Sequence, residues 1–124
     1  MLVDTDILVD ASRKDAKALA FLDSVTRHGG VAISVVSQME LMVGCRNRKE
    51  QAIVDGFLQR FEMVYLTDGI SRRAVELLRE YRLSHGLLIP DALIAATAIV
   101  LRVPLATKNT RHFGFMEDLE LADY

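Results

Sequence analysis

The chain is short of several things, and each shortage excludes something. It has no tryptophan, one cysteine, two prolines and few aromatic residues. A single cysteine, Cys45, rules out an internal disulfide and suits a reducing compartment. No basic-then-apolar leader opens the chain, so a cytoplasmic protein is expected. An uninterrupted apolar run long enough for lipid is also missing. The longest candidate, "GLLIPDALIAATAIVLRVPLA", carries Asp91, Arg102 and both prolines. A central carboxylate is expensive in hydrocarbon, so this stretch reads as a buried helix and no membrane is expected. Excess charge of one sign is absent too: the formal net charge is −2. That argues against indiscriminate nucleic-acid binding, which needs a basic surface to release counterions. Local basic clusters remain, at Arg13 and Lys14, at Arg46, Arg48 and Lys49, at Arg72 and Arg73, and at Lys108 and Arg111.

What is present is a chain of 124 residues with 51% hydrophobic residues. That is the size of one domain, and one domain over 1–124 is expected, with enough core to fold without staples. No linker, repeat or low-complexity segment interrupts it. Leu2 and Val3 form a short apolar run that ends at Asp4, and a short helix is expected to start near Thr5. Ala18, Phe21, Leu22 and Val25 recur at helical spacing until His28-Gly29-Gly30. A second strand is expected over Val31 to Ser34, then a helix over Val35 to Cys45. Val54, Phe57, Leu58 and Phe61 mark another helix, and Met63 to Leu66 a third strand. Ile70, Ala74, Leu77, Leu78 and Tyr81 mark a long helix that stops near Gly86. Pro90 opens a helix to Leu101. Val103 to Ala106 reads as a fourth strand, and Leu119 to Ala122 as a possible fifth.

Strands alternating with helices specify an α/β layer fold with a largely parallel sheet. In such sheets, sites form beyond the carboxyl ends of the strands. Asp4 ends the first strand. Glu40 lies in the helix after the second. Asp91 heads the helix after Pro90, and Asn109 and His112 follow the fourth strand. Carboxylates crowded at one edge repel one another, and a divalent cation relieves that repulsion. Hard oxygen donors suit Mg²⁺ or Mn²⁺, and no Cys/His spacing for zinc is present. Each residue also has a structural explanation. Asp4 and Asp6 could cap a helix, Ser37-Gln-Met-Glu40 matches a capping box, and Asp91 could complement a helix dipole. Against these, Glu40 and Asp91 sit inside apolar runs, where an unpaired charge is costly. Asp10 reads as a helix-end or surface acid, and His28, His85 and Cys45 as structural or solvated.

"LVDTDILVD", "ISVVSQMELMVG", "LLIPDALIAATAIVLRVPLAT" and "TKNTRHF", in that order and spacing, resemble the PIN domain. The narrower resemblance is to VapC-like toxins of toxin–antitoxin pairs. It covers essentially the whole chain. It implies a three-layer α/β/α sandwich with a largely parallel sheet of four to five strands. The implied activity is a Mg²⁺- or Mn²⁺-dependent endoribonuclease. The principal acids would be Asp4, Glu40 and Asp91, with Asp6 a further metal-site candidate and Thr5 a small polar neighbour of the first acid. Implied partners are RNA, a small VapB-like antitoxin covering the acidic groove with a basic side chain, and a second copy of the chain. Where many relatives place acids in the last motif, this chain has Asn109 and His112, so that loop supplies no carboxylate. Lys108, Arg111, Arg46 and Arg48 are candidate phosphate contacts. The helices carrying Val54, Phe57, Leu58 and Phe61, and Leu77, Leu78 and Tyr81, are expected to offer apolar surface to a dimer.

Alternatives stay open. "VDTDILVD" also resembles the first motif of haloacid-dehalogenase phosphatases, which would make Asp4 a nucleophile, yet no late pair of acids follows. A phospho-acceptor receiver using Lys108 would need an acid after the third strand, where only Asp68 stands. A PIN-like module that binds RNA without cutting it is a further possibility.

Overall fold

The computed structural model describes residues 1–124. Its elements run β1 (Leu2–Val3), α1 (Thr5–Ser12), α2 (Ala16–Arg27), β2 (Ala32–Ser34), α3 (Val35–Val43), α4 (Arg48–Leu58), β3 (Glu62–Val64), α5 (Asp68–His85), α6 (Ile89–Leu101), β4 (Leu105–Ala106) and α7 (Thr110–Phe113). The strands form one sheet in the order β3-β2-β1-β4, and every neighbouring pair is parallel.

Alternation along the strands builds the layers. In an extended chain successive side chains point to opposite faces. Leu2 and Leu105 therefore enter the core formed with α5 and α6, through Ile70, Leu77 and Ile94. Their neighbours Val3 and Ala106 enter the opposite core, with Ile7, Leu8, Leu22 and Phe61. Each fully buried leucine or isoleucine contributes roughly 1.5–3 kcal/mol relative to exposure. The result is an α/β/α sandwich.

Local chemistry sets the helix ends. Asp15, Asn47 and Thr67 accept from backbone N–H groups three residues on, starting α2, α4 and α5. Gly86 ends α5 at φ +71°, a left-handed conformation that suits glycine. Pro90 stands in the first turn of α6, where its missing N–H has no partner to lose.

Several boundaries differ from the periodicity: α3 stops at Val43, β3 runs Glu62–Val64, β4 is only Leu105–Ala106, and two further differences bear on the core. Helix α4 ends at Leu58, so Phe61 is buried from the turn before β3 and not from a helix. The expected fifth strand shrinks to one parallel bridge, Leu105 to Leu121. Two backbone bonds hold it, Leu105 N to Glu120 O and Ala122 N to Leu105 O.

The strand order places the site. From β1 the chain moves outward through β2 to β3, then returns to add β4 on the other side of β1. The crevice for a ligand opens at such a reversal, beyond the carboxyl ends of the strands. Here that point lies where Asp4 leaves β1 and Thr107 leaves β4.

Candidate active site

The register Val3 to Ala106 puts Asp4 beside Thr107, and Asp4 N donates to Ala106 O at 2.9 Å. Asp4 is buried. Its Oδ1 accepts from Thr5 N at 2.8 Å and its Oδ2 from the Thr107 hydroxyl at 2.8 Å. The same hydroxyl lies 3.3 Å from Asp6 Oδ2 and accepts from Asn109 N at 3.0 Å. Asp6 is held at both oxygens, with Ile7 N on Oδ1 at 2.7 Å and Lys108 N on Oδ2 at 3.0 Å. Thr107 thus ties the two acids of the first motif to the last strand. No spacing rule marks it in the sequence; only the β1–β4 register does.

The other acids arrive from different elements. Glu40 accepts from the Thr5 hydroxyl at 2.7 Å. Thr5 Oγ1 also lies 2.8 Å from Ser37 Oγ. A hydroxyl has one proton and a carboxylate only accepts, so Thr5 donates to Glu40 and Ser37 donates to Thr5. Asp91, half-buried in the first turn of α6, faces His112, whose Nδ1 is 3.2 Å from Asp91 Oδ2. Asn109 Nδ2 is 3.0 Å from the same ring nitrogen. Asp4, Asp6, Asp10, Glu40 and Asp91 line one open cavity of about 360 Å³, together with Thr5, Lys108 and Asn109.

The charges act on one another there. Burial, and then the neighbouring Asp6, push the Asp4 carboxyl up to about 7, against the bonds from Thr107 and Thr5. Asp91 is also raised, first by burial, with Glu40 and Asp6 adding to it and His112 opposing it. An all-oxygen, mutually repelling donor set fits a hard divalent cation. The side chains do not form a closed cluster of three or more metal-ligating residues. Carboxylates that repel are not drawn onto a single point without a counter-charge.

Several expectations change. The capping box does not form: Ser34, not Ser37, caps α3, through its bond from Val36 N. Ser37 lies inside the helix, and Glu40 is free to meet Thr5. Nor is Glu40 enclosed by its apolar run, since Glu40, Met39 and Val43 are all exposed. Asp4 does cap α1, and its second oxygen still reaches Thr107. Asp10 is no idle surface acid: it lines the cavity and pairs with Lys108 Nζ. Lys108 is therefore already engaged, and Arg46 pairs with Glu50 on α4. Arg48 and Arg111 are exposed and in no ion pair. The helical residues expected to face a dimer are largely consumed by the fold. Leu58, Phe61 and Leu77 are buried, while Val54, Phe57, Leu78 and Tyr81 pack against the two cores.

Similarity to known proteins follows the same frame. Residues 1–115 match the PIN domain family model. Ribonuclease VapC10 of Mycobacterium tuberculosis is 41% identical, over 97% of this chain and 90% of its own length. Ribonuclease VapC1 of Methanocaldococcus jannaschii is 34% identical, over 100% of this chain and 86% of its own. VapBC2 of Rickettsia felis, solved bound to a DNA fragment from the promoter, superposes with a TM-score of 0.86 at 28% identity, over 99% of this chain and 97% of the other. A toxin–antitoxin complex from Klebsiella pneumoniae gives 0.79 at 31% identity, over 95% and 93%. With its fold, its acid-lined crevice and a family match over nearly its whole length, this chain belongs to the PIN domain family.

Proposed function

We infer that the protein is a VapC-type ribonuclease that hydrolyses RNA phosphodiester bonds with the help of a divalent metal, and that it acts as the toxin of a toxin–antitoxin pair. The observation that carries this reading is the convergence of Asp4, Asp6, Glu40 and Asp91, from three separate helices and a strand end, on one cavity. Asp4, Glu40 and Asp91 would hold Mg²⁺ or Mn²⁺, with Asp6 at its edge. When bound, such an ion supplies positive charge that polarises the scissile phosphate and favours an ionised water. The protein's own groups do the positioning. Thr107 and the Thr5 amide fix the Asp4 carboxylate, and Thr5 aims Glu40. His112 Nδ1, where it carries the ring proton, donates to Asp91. Of the candidate phosphate contacts, Arg111 and Arg48 are in no ion pair and would meet flanking phosphates. The products would be a 5′-phosphate and a 3′-hydroxyl.

The solved VapBC2 assembly and the solved toxin–antitoxin complex described above support a VapB-like antitoxin as partner. Its seat would be the cavity of about 470 Å³ beside the acids, lined by Val9, Leu41 and Ile53 with Arg13 and Arg46. Glu40 lines both cavities, so a basic side chain entering from this groove would meet the acids. A homodimer would use the exposed Val75, Leu83 and Ile89 of α5 and α6, in place of the residues taken by the core. No helix is long and apolar enough to cross a membrane, and a cytoplasmic location fits an RNA substrate.

Purified protein should be tested on structured RNA and on p-nitrophenyl phosphate, with and without EDTA, beside Asp4→Asn. RNA cleavage that requires metal and vanishes in the variant is expected. Phosphatase activity without RNA cleavage would transfer the site to the haloacid-dehalogenase reading. RNA binding without any cutting would leave a binding module.

A further inference from the structure

Asp91 is a wall shared by two cavities. One is the acid-lined crevice. The other, of about 210 Å³, is lined by Asp91 together with His85, Leu88, Arg111, His112 and Phe115 among others. Its chemistry differs from that of the crevice. The His85 ring stacks on Phe115, with centroids 4.2 Å apart and planes inclined by 16°. Tyr81 meets both rings, His85 at 72° and Phe115 at 56°, and so props the stack. Phe115 is half-buried and packs against the core, while His85 is exposed. Phe115 covers one face of the imidazole, and His85 Nδ1 lies 2.7 Å from Ser84 Oγ. Arg111, on the short helix α7, is exposed and makes no ion pair. Leu88 adds an apolar edge, with 53% of its surface open.

We propose that this second cavity is a nucleobase subsite. It would take one unstacked base of single-stranded RNA, next to the scissile phosphate, against the exposed His85 ring, with Arg111 on that nucleotide's phosphate. The proposal rests on the ribonuclease reading above and names how its substrate is held. Three features carry it. The pocket is smaller than the usual small-molecule cleft, which suits a single planar ring. Its platform is a braced aromatic stack, the surface on which splayed bases are bound. And Asp91 joins it to the crevice, so a base here and a phosphate there belong to adjacent parts of one strand. A protein with a net charge of −2 gains little from general phosphate attraction, so a stacking site of this kind is where its affinity for RNA would come from.

The test uses the full chain without added metal, so that binding is read apart from catalysis. The four nucleoside 5′-monophosphates are titrated while the ring protons of His85 and Phe115 are followed by NMR, with inorganic phosphate as the comparison. Base-dependent upfield shifts at His85 are expected, and inorganic phosphate should not produce them. His85→Ala should weaken nucleotide binding by about 5–100-fold, the range for loss of one stacked base. Arg111→Ala should weaken every nucleotide alike. Arg72→Ala, on the exposed face of α5, should bind as the parent does. Equal shifts with inorganic phosphate, no shift up to about 10 mM nucleotide, or an unchanged His85→Ala would overturn the subsite. Cleavage of a short oligoribonucleotide by the metal-loaded parent is scored separately. Its absence defeats the ribonuclease reading, while the shifts still decide whether a base is bound.

Discussion

The two walls of the acid crevice are built differently. On one side Asp4 and Asp6 stand at the junction of β1, α1 and β4, and their carboxylates accept from three backbone N–H groups and from the Thr107 hydroxyl. On the other side Glu40 is exposed and receives only the Thr5 hydroxyl, and Asp91 is half-buried against an exposed histidine. The first wall is part of the sheet's own hydrogen bonding and cannot shift without disturbing β1. The second projects from helices through side chains that can turn. A group that must hold charge at a fixed point therefore sits on the sheet wall, and groups that must adapt to a substrate sit on the helix wall. Substitutions that separate the walls should then separate stability from activity.

The largest effects fall on activity at either wall. Asp4→Asn and Asp91→Asn should each lower metal-dependent RNA cleavage by about 100-fold or more, because an ion that loses one carboxylate loses several kcal/mol of charge stabilisation at the reacting phosphate. Their effects on folding should diverge. The Asp4 carboxyl is raised from 3.8 to about 7 in the fold. Between those values the folded state holds a proton that the unfolded chain has released. Stability of the metal-free protein therefore declines as pH rises from about 4 to about 7, and the loss is complete above that. Asp4→Asn removes the penalty, so at pH 8 it should gain on the order of 1–3 kcal/mol, while near pH 4 it should gain nothing. Urea unfolding at the two pH values, in EDTA, measures the difference. Equal midpoint shifts at both would show that the crowding at this wall is not electrostatic.

The next contrast sets Thr107→Val against Glu40→Gln. Thr107→Val keeps the side-chain shape and removes the hydroxyl shared by Asp4, Asp6 and the Asn109 amide. It should cost about 1–3 kcal/mol, as buried groups lose their partner, and lower metal affinity by about 10–100-fold, read by calorimetric titration with Mn²⁺. Thr107→Ser should recover most of both. Glu40→Gln should leave stability within about 0.5 kcal/mol, as exposed positions do, while cleavage collapses. If Glu40→Gln instead unfolds the protein with activity per folded molecule intact, the division between the walls fails.

Much of this was legible in the sequence, for a definite reason. The alternation of strand and helix patterns fixes which residues follow a strand, and parallel strands send all those residues to one edge. Asp4, Glu40 and Asp91 could be brought together by that rule alone. Thr107 could not be, because its role depends on the pairing of Val3 with Ala106, and a threonine in "LATKNT" looks like any loop residue. The stack of His85 on Phe115 was hidden similarly: it joins the end of α5 to the turn after α7, a contact no local period encodes. Periodicity also identified apolar helix faces without saying what covers them. Leu77 packs into the core with α6 and Phe61 into the core beside β2, while Val75, Leu83 and Ile89 of α5 and α6 stay exposed.

The smallest expected effect concerns the ion pair at the rim of the sheet wall. Lys108 Nζ pairs with Asp10 where Asp10 lines the crevice, and the Lys108 amide, not its side chain, holds Asp6. Lys108→Met keeps that amide and removes only the ammonium. The pair is about half open to solvent on the lysine side, with 45% of that side chain exposed, and exposed pairs add little to stability. Unfolding should therefore barely shift, and less still in high salt. Cleavage offers the sharper reading. If the lysine serves only to neutralise Asp10, Lys108→Met should be matched by Asp10→Asn restoring activity in the double variant. If the lysine leaves Asp10 to meet an RNA phosphate, the double variant should stay impaired, with KM raised and the salt dependence of KM flattened. A rescue would assign Lys108 to the wall, and a lasting KM defect would assign it to the substrate.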